Sequence, residues 1–272
     1  MIDLKNPVPG IYDNVSFEDY LRLDCISNSY LSRLAITPAH AKIKEDDTKS
    51  LSTGRMIHTF VLEGATGFAK RYKIAEKMNR NTKVWKELAK EAEKEGREAI
   101  QEHDFKLIEA VSHSILGYPD IEEMLLGEVE QTVIWETPEG ILCKARPDVM
   151  QSTTGTLFDL KTTKDAGDFV RAVCNYGYDR QAVHYLRGVN AVSPFLFTKF
   201  VFLAVELKPP YRVQDYDLEP EFLASSEADL DNLIQIELGC IARDEWPNHT
   251  LDYHGGHRKT LECPTWHLNR RG

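Results

Sequence analysis

Between residues 130 and 161 the sequence changes period, and this change constrains the fold more than any other feature of the chain. The segments 130–136, 141–150 and 156–161 are short and rich in β-branched and aromatic residues. Between them lie Thr137-Pro-Glu-Gly140 and Gln151-Ser-Thr-Thr-Gly155, both with turn chemistry. The pattern predicts an antiparallel β-meander. Two further strands are expected at 197–206 and 211–218.

Around these strands the period is helical. A short helix is expected after a loop within 11–43, N-capped by Ser27, Asn28 or Ser29. Its apolar face is Tyr30, Leu31, Leu34 and Ala35, and it stops before Pro38. A second helix at 52–63 presents Met56, Ile57, Phe60 and Val61 and is expected to end at Gly64. From 82 to 116 a charged helical pattern carries an apolar stripe of Trp85, Leu88, Ala92, Ile100, Phe105, Ile108, Val111 and Ile115. Helices at 178–191 and 220–244 follow. The sum is an α+β fold with a mixed central β-sheet flanked by helices. A single domain over 1–272 is expected, with a helical N-terminal part at about 11–117 and a core at about 128–245; 272 residues is near the limit of one hydrophobic core.

The segment Thr156-Leu-Phe-Asp-Leu-Lys161 places two charges in an apolar strand. Period-2 alternation puts Asp159 and Lys161 on one face and turns Leu160 to the core. A turn near 151–155 brings Asp148 onto the neighbouring strand, facing the same pocket. Two carboxylates converging beside an ammonium suit phosphodiester hydrolysis, in which carboxylate-held Mg²⁺ neutralises the polyanion and a cation stabilises developing charge. The bland alternative is a surface salt-bridge ladder on a hairpin. Against it stands the apolar setting, where charges without a task are rare.

Other features narrow the class. The net charge of −10 argues against a protein that coats nucleic acid, but a phosphate channel needs only a local basic lining. The five cysteines, Cys25, Cys143, Cys174, Cys240 and Cys263, form no C-x-x-C pair; they are expected to be small buried residues in a reducing cytoplasm. No apolar run is long enough to span a bilayer and the first residues do not read as a signal peptide, so no membrane partner is expected. No phosphate loop, G-x-S-x-G or H-E-x-x-H motif is present.

With Asp148, Asp159 and Lys161 in place, the sequence resembles the PD-(D/E)XK nucleases, and within them the RecE-like and lambda-type phage exonucleases. Gly54-Arg-Met-Ile-His58 resembles the G-x-x-x-H element of that branch, Gln181-x-x-x-Tyr185 its Q-x-x-x-Y element, and Asp159-Leu-Lys-Thr-Thr163 its D-L-K-T-T string. Trp246-Pro247 is similar to the W-P that follows the corresponding helix. The resemblance spans about residues 10–250 and implies a restriction-endonuclease-like core.

The resemblance also implies roles. Asp148, Asp159, the Leu160 carbonyl and His58 would ligate the metal, Lys161 would be the catalytic lysine, and Gln181 and Tyr185 would position the scissile phosphate. It implies a Mg²⁺-dependent (or Mn²⁺-supported) double-strand DNA exonuclease that digests 5′→3′. The 3′ single strand left behind would pass to a phage-type single-strand-annealing protein, in recombination or repair. A homo-oligomeric ring around double-stranded DNA is implied too. Arg22, Arg33, Lys164 and Arg171 are candidates for holding DNA phosphate or a 5′-phosphate. Glu63, Glu130 and Glu136 are expected to be solvated or supporting carboxylates, His103 and His113 surface residues, and Asp252, His254 and His257 part of a polar loop. The alternatives are a structure-specific or Cas4-like endonuclease of the same superfamily, or a catalytically silent DNA-binding module.

Overall fold

The structure is a computed structural model, in which residues 2–43, 49–76 and 79–249 are described. In chain order the elements are β1 (Gly10–Tyr12), α1 (Phe17–Arg22), α2 (Asn28–Leu34), α3 (Pro38–Ala41), α4 (Lys49–Arg71), β2 (Tyr72–Ala75), α5 (Lys83–Lys94), β3 (Glu98–Gln101), α6 (Glu102–Leu116) and α7 (Ile121–Met124). They continue with β4 (Glu128–Val129), β5 (Thr132–Glu136), β6 (Leu142–Ala145), β7 (Val149–Gln151), β8 (Thr156–Thr163), α8 (Val170–Tyr176), α9 (Tyr178–Val192), β9 (Lys199–Glu206), β10 (Val213–Asp217) and α10 (Pro220–Arg243).

The central sheet has the order β10-β9-β8-β7-β4, with β8 and β9 parallel and the other pairs antiparallel. It is the mixed sheet of an α+β fold. Strand β9 lies inside it, and Phe200 to Val205 are buried without interruption, as a strand covered on both faces requires. Alternation sorts its side chains. Leu203 and Val205 join Leu160 of β8 in a core with Met56, Ile57, Phe60 and Val61 of α4 and Ile108, Val111 and Ile115 of α6. Each such side chain taken out of water stabilises the fold by roughly 1.5–3 kcal/mol. Phe200 and Phe202 instead meet Tyr185 and Tyr178 of α9. Helix α9 is also seated on β5: the His184 ring lies 4.6 Å from that of Trp135, and a Cβ on Gly188 would come within 2.4 Å of the same indole.

The β-rich middle departs from a simple meander. The stretch 141–150 is two strands that belong to different sheets. β6 pairs with β5, which pairs with β1, whereas β7 pairs with β8. The break falls at Arg146-Pro147-Asp148, where proline has no N–H to give to a ladder. The stretch 82–116 is likewise not one helix. Thr82 caps α5, Gly96 (φ 70°) turns the chain, and Ile100 pairs with Ile74 in the parallel β2–β3 ribbon before α6 begins. Gly64 (φ 69°) kinks α4 rather than ending it, and the helix resumes to Arg71.

The chain divides into two compact units, Met1–Asn28 with Glu45–Glu227, and Ser29–Lys44 with Ala228–Gly272. In the second, the Tyr30 hydroxyl and the Trp246 indole N–H donate to the two carboxylate oxygens of Glu237, at 2.7 and 3.2 Å, and Lys42 lies 3.7 Å over the Trp246 ring. The Trp246-Pro247 element thus packs its own unit, and Arg33 belongs to that unit as well. Asp252, His254, His257 and Cys263 lie outside the described residues. Cys143 and Cys240 are buried as expected, while Cys174 is exposed. Among the described residues no helix is long and apolar enough to cross a membrane.

Candidate active site

The β7–β8 register places Val149 opposite Phe158, so Asp148, one residue before β7, falls beside Asp159. Both carboxylates are buried, at 8% and 3% exposure. Asp148 is held at both oxygens: the Leu160 N–H donates to Oδ2 at 2.6 Å, and Nδ1 of His58 lies 3.1 Å from Oδ1. Asp159 is held likewise. The Gln181 amide donates to its Oδ1 at 2.7 Å, and the Lys161 ammonium pairs with Oδ2. Four elements therefore converge: α4 with His58, the β6–β7 link with Asp148, β8 with Asp159 and Lys161, and α9 with Gln181.

Local structure explains each placement. His58 follows Gly54 by one helical turn on α4, and Gly54 faces Thr162 of β8, where a methyl would sit 3.7 Å from the hydroxyl. Asp148 leaves a strand end that is fixed from behind. The buried Lys144 ammonium donates to the Tyr20 and Leu23 carbonyls at the end of α1, at 2.9 and 2.7 Å. Arg146 donates to the Val15 carbonyl at 2.9 Å and to Glu130 at 3.1 Å. The spacing of Lys144, Arg146 and Asp148 signals three charged residues at alternate positions, but the anchoring role of the first two needs α1 to be visible.

The electrostatics follow from burial opposed by neighbours. Burial raises the Asp159 pKa; Lys161 opposes this and Asp148 reinforces it, and the net shift is upward. Burial also works against the charge of Asp148, but the His58 charge and hydrogen bond, then Lys161 and the Leu160 N–H, leave its pKa below the ordinary carboxylate value. Burial would lower the pKa of His58, yet Asp148 holds it above the usual imidazole value. The Lys161 pKa is raised despite burial, chiefly by Asp159. Burial, with the Tyr20 phenol and the Asp159 and Asp148 carboxylates acting in the same direction, pushes the Tyr185 hydroxyl well above its ordinary value.

Two of the basic candidates are engaged elsewhere. Arg22 is exposed and paired with Glu18 at 2.5 Å and Asp19 at 3.6 Å, and Arg171 is exposed and paired with Asp168 at 2.7 Å. Lys164 is exposed just beyond β8. One residue at the site and one behind it were missed in the sequence. Tyr178 of α9 carries Lys161 Nζ 4.8 Å above its ring, and it lies three positions before Gln181, a spacing that could have found it. His184 is buried, with Nε2 3.2 Å from the Lys144 carbonyl, and burial holds its pKa down at about 4.

Among the described residues no three His, Cys, Asp or Glu side chains stand together as a ready metal cage. The acidic oxygens are turned to protein donors. The donor set nevertheless fits a hard divalent cation: Mg²⁺ is held by one or two carboxylates while keeping several waters, not by an all-protein cage. In this structure the His58 ring is engaged with Asp148 through Nδ1, which turns Nε2 to the opposite side of the imidazole.

A family described as "PDDEXK-like domain of unknown function (DUF3799)" matches residues 27–254. No curated protein matches by sequence. Among solved structures, a candidate exonuclease from Eubacterium rectale aligns with a TM-score of 0.63 at 15% identity, over 93% of this chain and 96% of that one. That likeness shows a shared fold. An alkaline exonuclease from Laribacter hongkongensis is matched at 13% identity, over 84% of this chain and 97% of that one, with a TM-score of only 0.31.

Proposed function

Since the chain belongs to the PDDEXK-like family, we propose that it is a metal-dependent deoxyribonuclease that hydrolyses double-stranded DNA from its ends. The observation that carries this reading is the convergence of Asp148, Asp159 and Lys161 in one buried cluster, with His58 and Gln181 holding the carboxylates.

Asp148 and Asp159 would hold Mg²⁺, joined by the Leu160 carbonyl and by His58 once its ring turns from Asp148 to the ion. When bound, the cation supplies charge neutralisation of the phosphate and an acidified water at neutral pH. The side chains do the rest. Gln181 fixes the rotamer of Asp159 through Oδ1. His58 and the Leu160 N–H fix Asp148. The Lys161 ammonium pairs directly with Asp159, and it would stabilise charge that builds on the phosphoryl oxygens as water adds to phosphorus and the ester oxygen leaves. Tyr185 lines the same face and orients the strand.

The finer reading rests on the sequence resemblance to RecE-like and lambda-type enzymes: 5′→3′ digestion in the cytoplasm, a 3′ single strand for an annealing partner, and a single catalytic domain assembled into a ring. The name of the Eubacterium rectale structure supports exonuclease action. The test is digestion of linear duplex labelled at its 5′ or 3′ ends, beside a covalently closed circle, with Mg²⁺. Linear DNA should be consumed, with release from the 5′ ends, and the circle spared. Nicking of the circle would make the protein an endonuclease of the same superfamily, and no cleavage of either would make it a silent binding module.

A further inference from the structure

The aromatic side chains beside Lys161 form a path to the surface that hydrolysis does not use. The Tyr178 ring packs on Phe169 at 5.9 Å and 28° and on Phe202 at 5.9 Å and 35°, and Phe169 stacks on Tyr216 at 5.5 Å. Phe169 and Phe202 are buried, so one side of Tyr178 has a rigid backing. The Lys161 ammonium lies 4.8 Å from the Tyr178 centroid. Tyr176, the last residue of α8, packs against Tyr178 at 5.6 Å and 35°, and it is 62% exposed. Gly177 makes this pairing possible. At φ 65° it turns the chain between α8 and α9, bringing together two rings separated by one residue. The exposed ring thus continues, through one neighbour, to the ammonium at the centre of the site.

We propose that Tyr176 is a stacking platform for an unpaired nucleobase of the DNA strand whose phosphate lies at Lys161. This rests on the nuclease reading above and adds a substrate class: a strand that is single or frayed at the point of cleavage. If a phosphate sits at Lys161 and Asp159, the base of a neighbouring nucleotide must lie within a nucleotide or two, and the surface there is an aromatic ring already held in place. Bases in an intact duplex are stacked on one another and present no free face, whereas every unpaired base has one. Stacking on a phenol therefore selects for strand separation and not for sequence. It also adds no positive charge, in keeping with a chain whose net charge is −10.

The experiment uses the full-length protein and short single strands carrying 2-aminopurine at one of the terminal positions, in Ca²⁺ so that binding is read without turnover. With the wild type, fluorescence should be quenched at one position along the strand. Tyr176→Ala should abolish that quench and weaken binding roughly tenfold, within the range of base–aromatic stacking. Tyr176→Phe should restore both. Binding of a blunt, fully paired duplex should change less than about twofold, and the melting temperature should stay at the wild-type value because the side chain is exposed. Unchanged quenching and affinity in Tyr176→Ala, in a protein that still digests linear DNA, would overturn the platform and leave the nuclease reading intact. A wild type that neither binds nor cleaves any DNA would remove both.

Discussion

Gln181 and Asp159 are joined across two elements: the amide nitrogen of a residue on α9 donates to the carboxylate of a residue on β8 at 2.7 Å, and both side chains are buried. The bond leaves Asp159 one orientation. Gln181→Ala should lower the cleavage rate about 10–100-fold, as loss of such supporting partners does at metal sites, and raise the Mg²⁺ needed for half-maximal rate. It should also cost about 1–3 kcal/mol of stability, because a buried acceptor loses its donor. A Mg²⁺ titration of the variant rate tests this, and an unchanged curve would give Gln181 a purely structural role.

Asp159→Asn keeps the shape but removes the charge. Cleavage should fall at least about a hundredfold, since a metal-holding oxygen is lost. Folding should survive, because burial and Asp148 already disfavour the ionised form, as the raised pKa of Asp159 shows. Thermal unfolding of the metal-free protein is the check. A melting temperature at or above that of wild type is expected, and a collapse would mean that the Lys161 pairing dominates the local balance.

Metal should be visible without any reaction. A ligand that binds only the folded state stabilises it by RT ln(1 + [L]/Kd). Excess Mg²⁺ or Mn²⁺ should therefore raise the melting temperature of EDTA-treated wild type, and the increment should vanish in Asp148→Asn. Cleavage should stop in EDTA and return with either ion. Robust digestion in chelator would end the carboxylate argument.

His184 gives a pH dependence away from the reacting groups. Its folded pKa is about 4, below the roughly 6.5 of an unfolded chain, because burial against Trp135 disfavours the charged ring. As pH falls, the unfolded chain takes up this proton first. The stabilising contribution is thus complete above about pH 6.5, declines between about 6.5 and 4, and then levels off, a loss of at most about 3 kcal/mol. The difference in melting temperature between wild type and His184→Gln, followed from pH 7.5 to 4.5, should shrink or change sign as pH falls. A constant difference would show that the ring protonates without penalty.

The convergence of Asp148, Asp159 and Lys161 was more legible than the bounds and pairing of the elements around them. Asp148, Asp159 and Lys161 could be brought together from alternation and one tight turn, because strand geometry makes sequence spacing a direct measure of direction. His58 and Gln181 needed helix-borne motifs and the resemblance that joined them, since nothing local says that residues 90 and 22 positions distant will meet. The misreadings share a cause. Ile100 fits a helical stripe as well as it fits β3, and a four-residue ribbon between charged helices has too few residues to show its period. Segment 141–150 looked like one strand because which sheet a strand joins is decided by partners far along the chain. Tyr178 opens the helix expected at 178–191, and its place over Lys161 depends on the pairing of β8 with β9 and on the seat of α9 against them.

The division of that segment at Pro147 has a consequence for the order in which the protein becomes itself. Asp148 projects from the joint between two sheets, and the sheet that β7 joins gains its last strand only with β10. When a growing chain has just delivered Lys161, β8 still lacks its parallel neighbour β9, and the amide that orients Asp159 has not been made. Domains are synthesised from the N-terminus and long-range pairings close last. The β7–β8 hairpin can set Asp148 beside Asp159 early, but the Gln181 amide and the parallel strand β9 that back the pair are not both present until residue 206 has been made. For a protein whose proposed business is the destruction of DNA ends, the topology acts as its own timer.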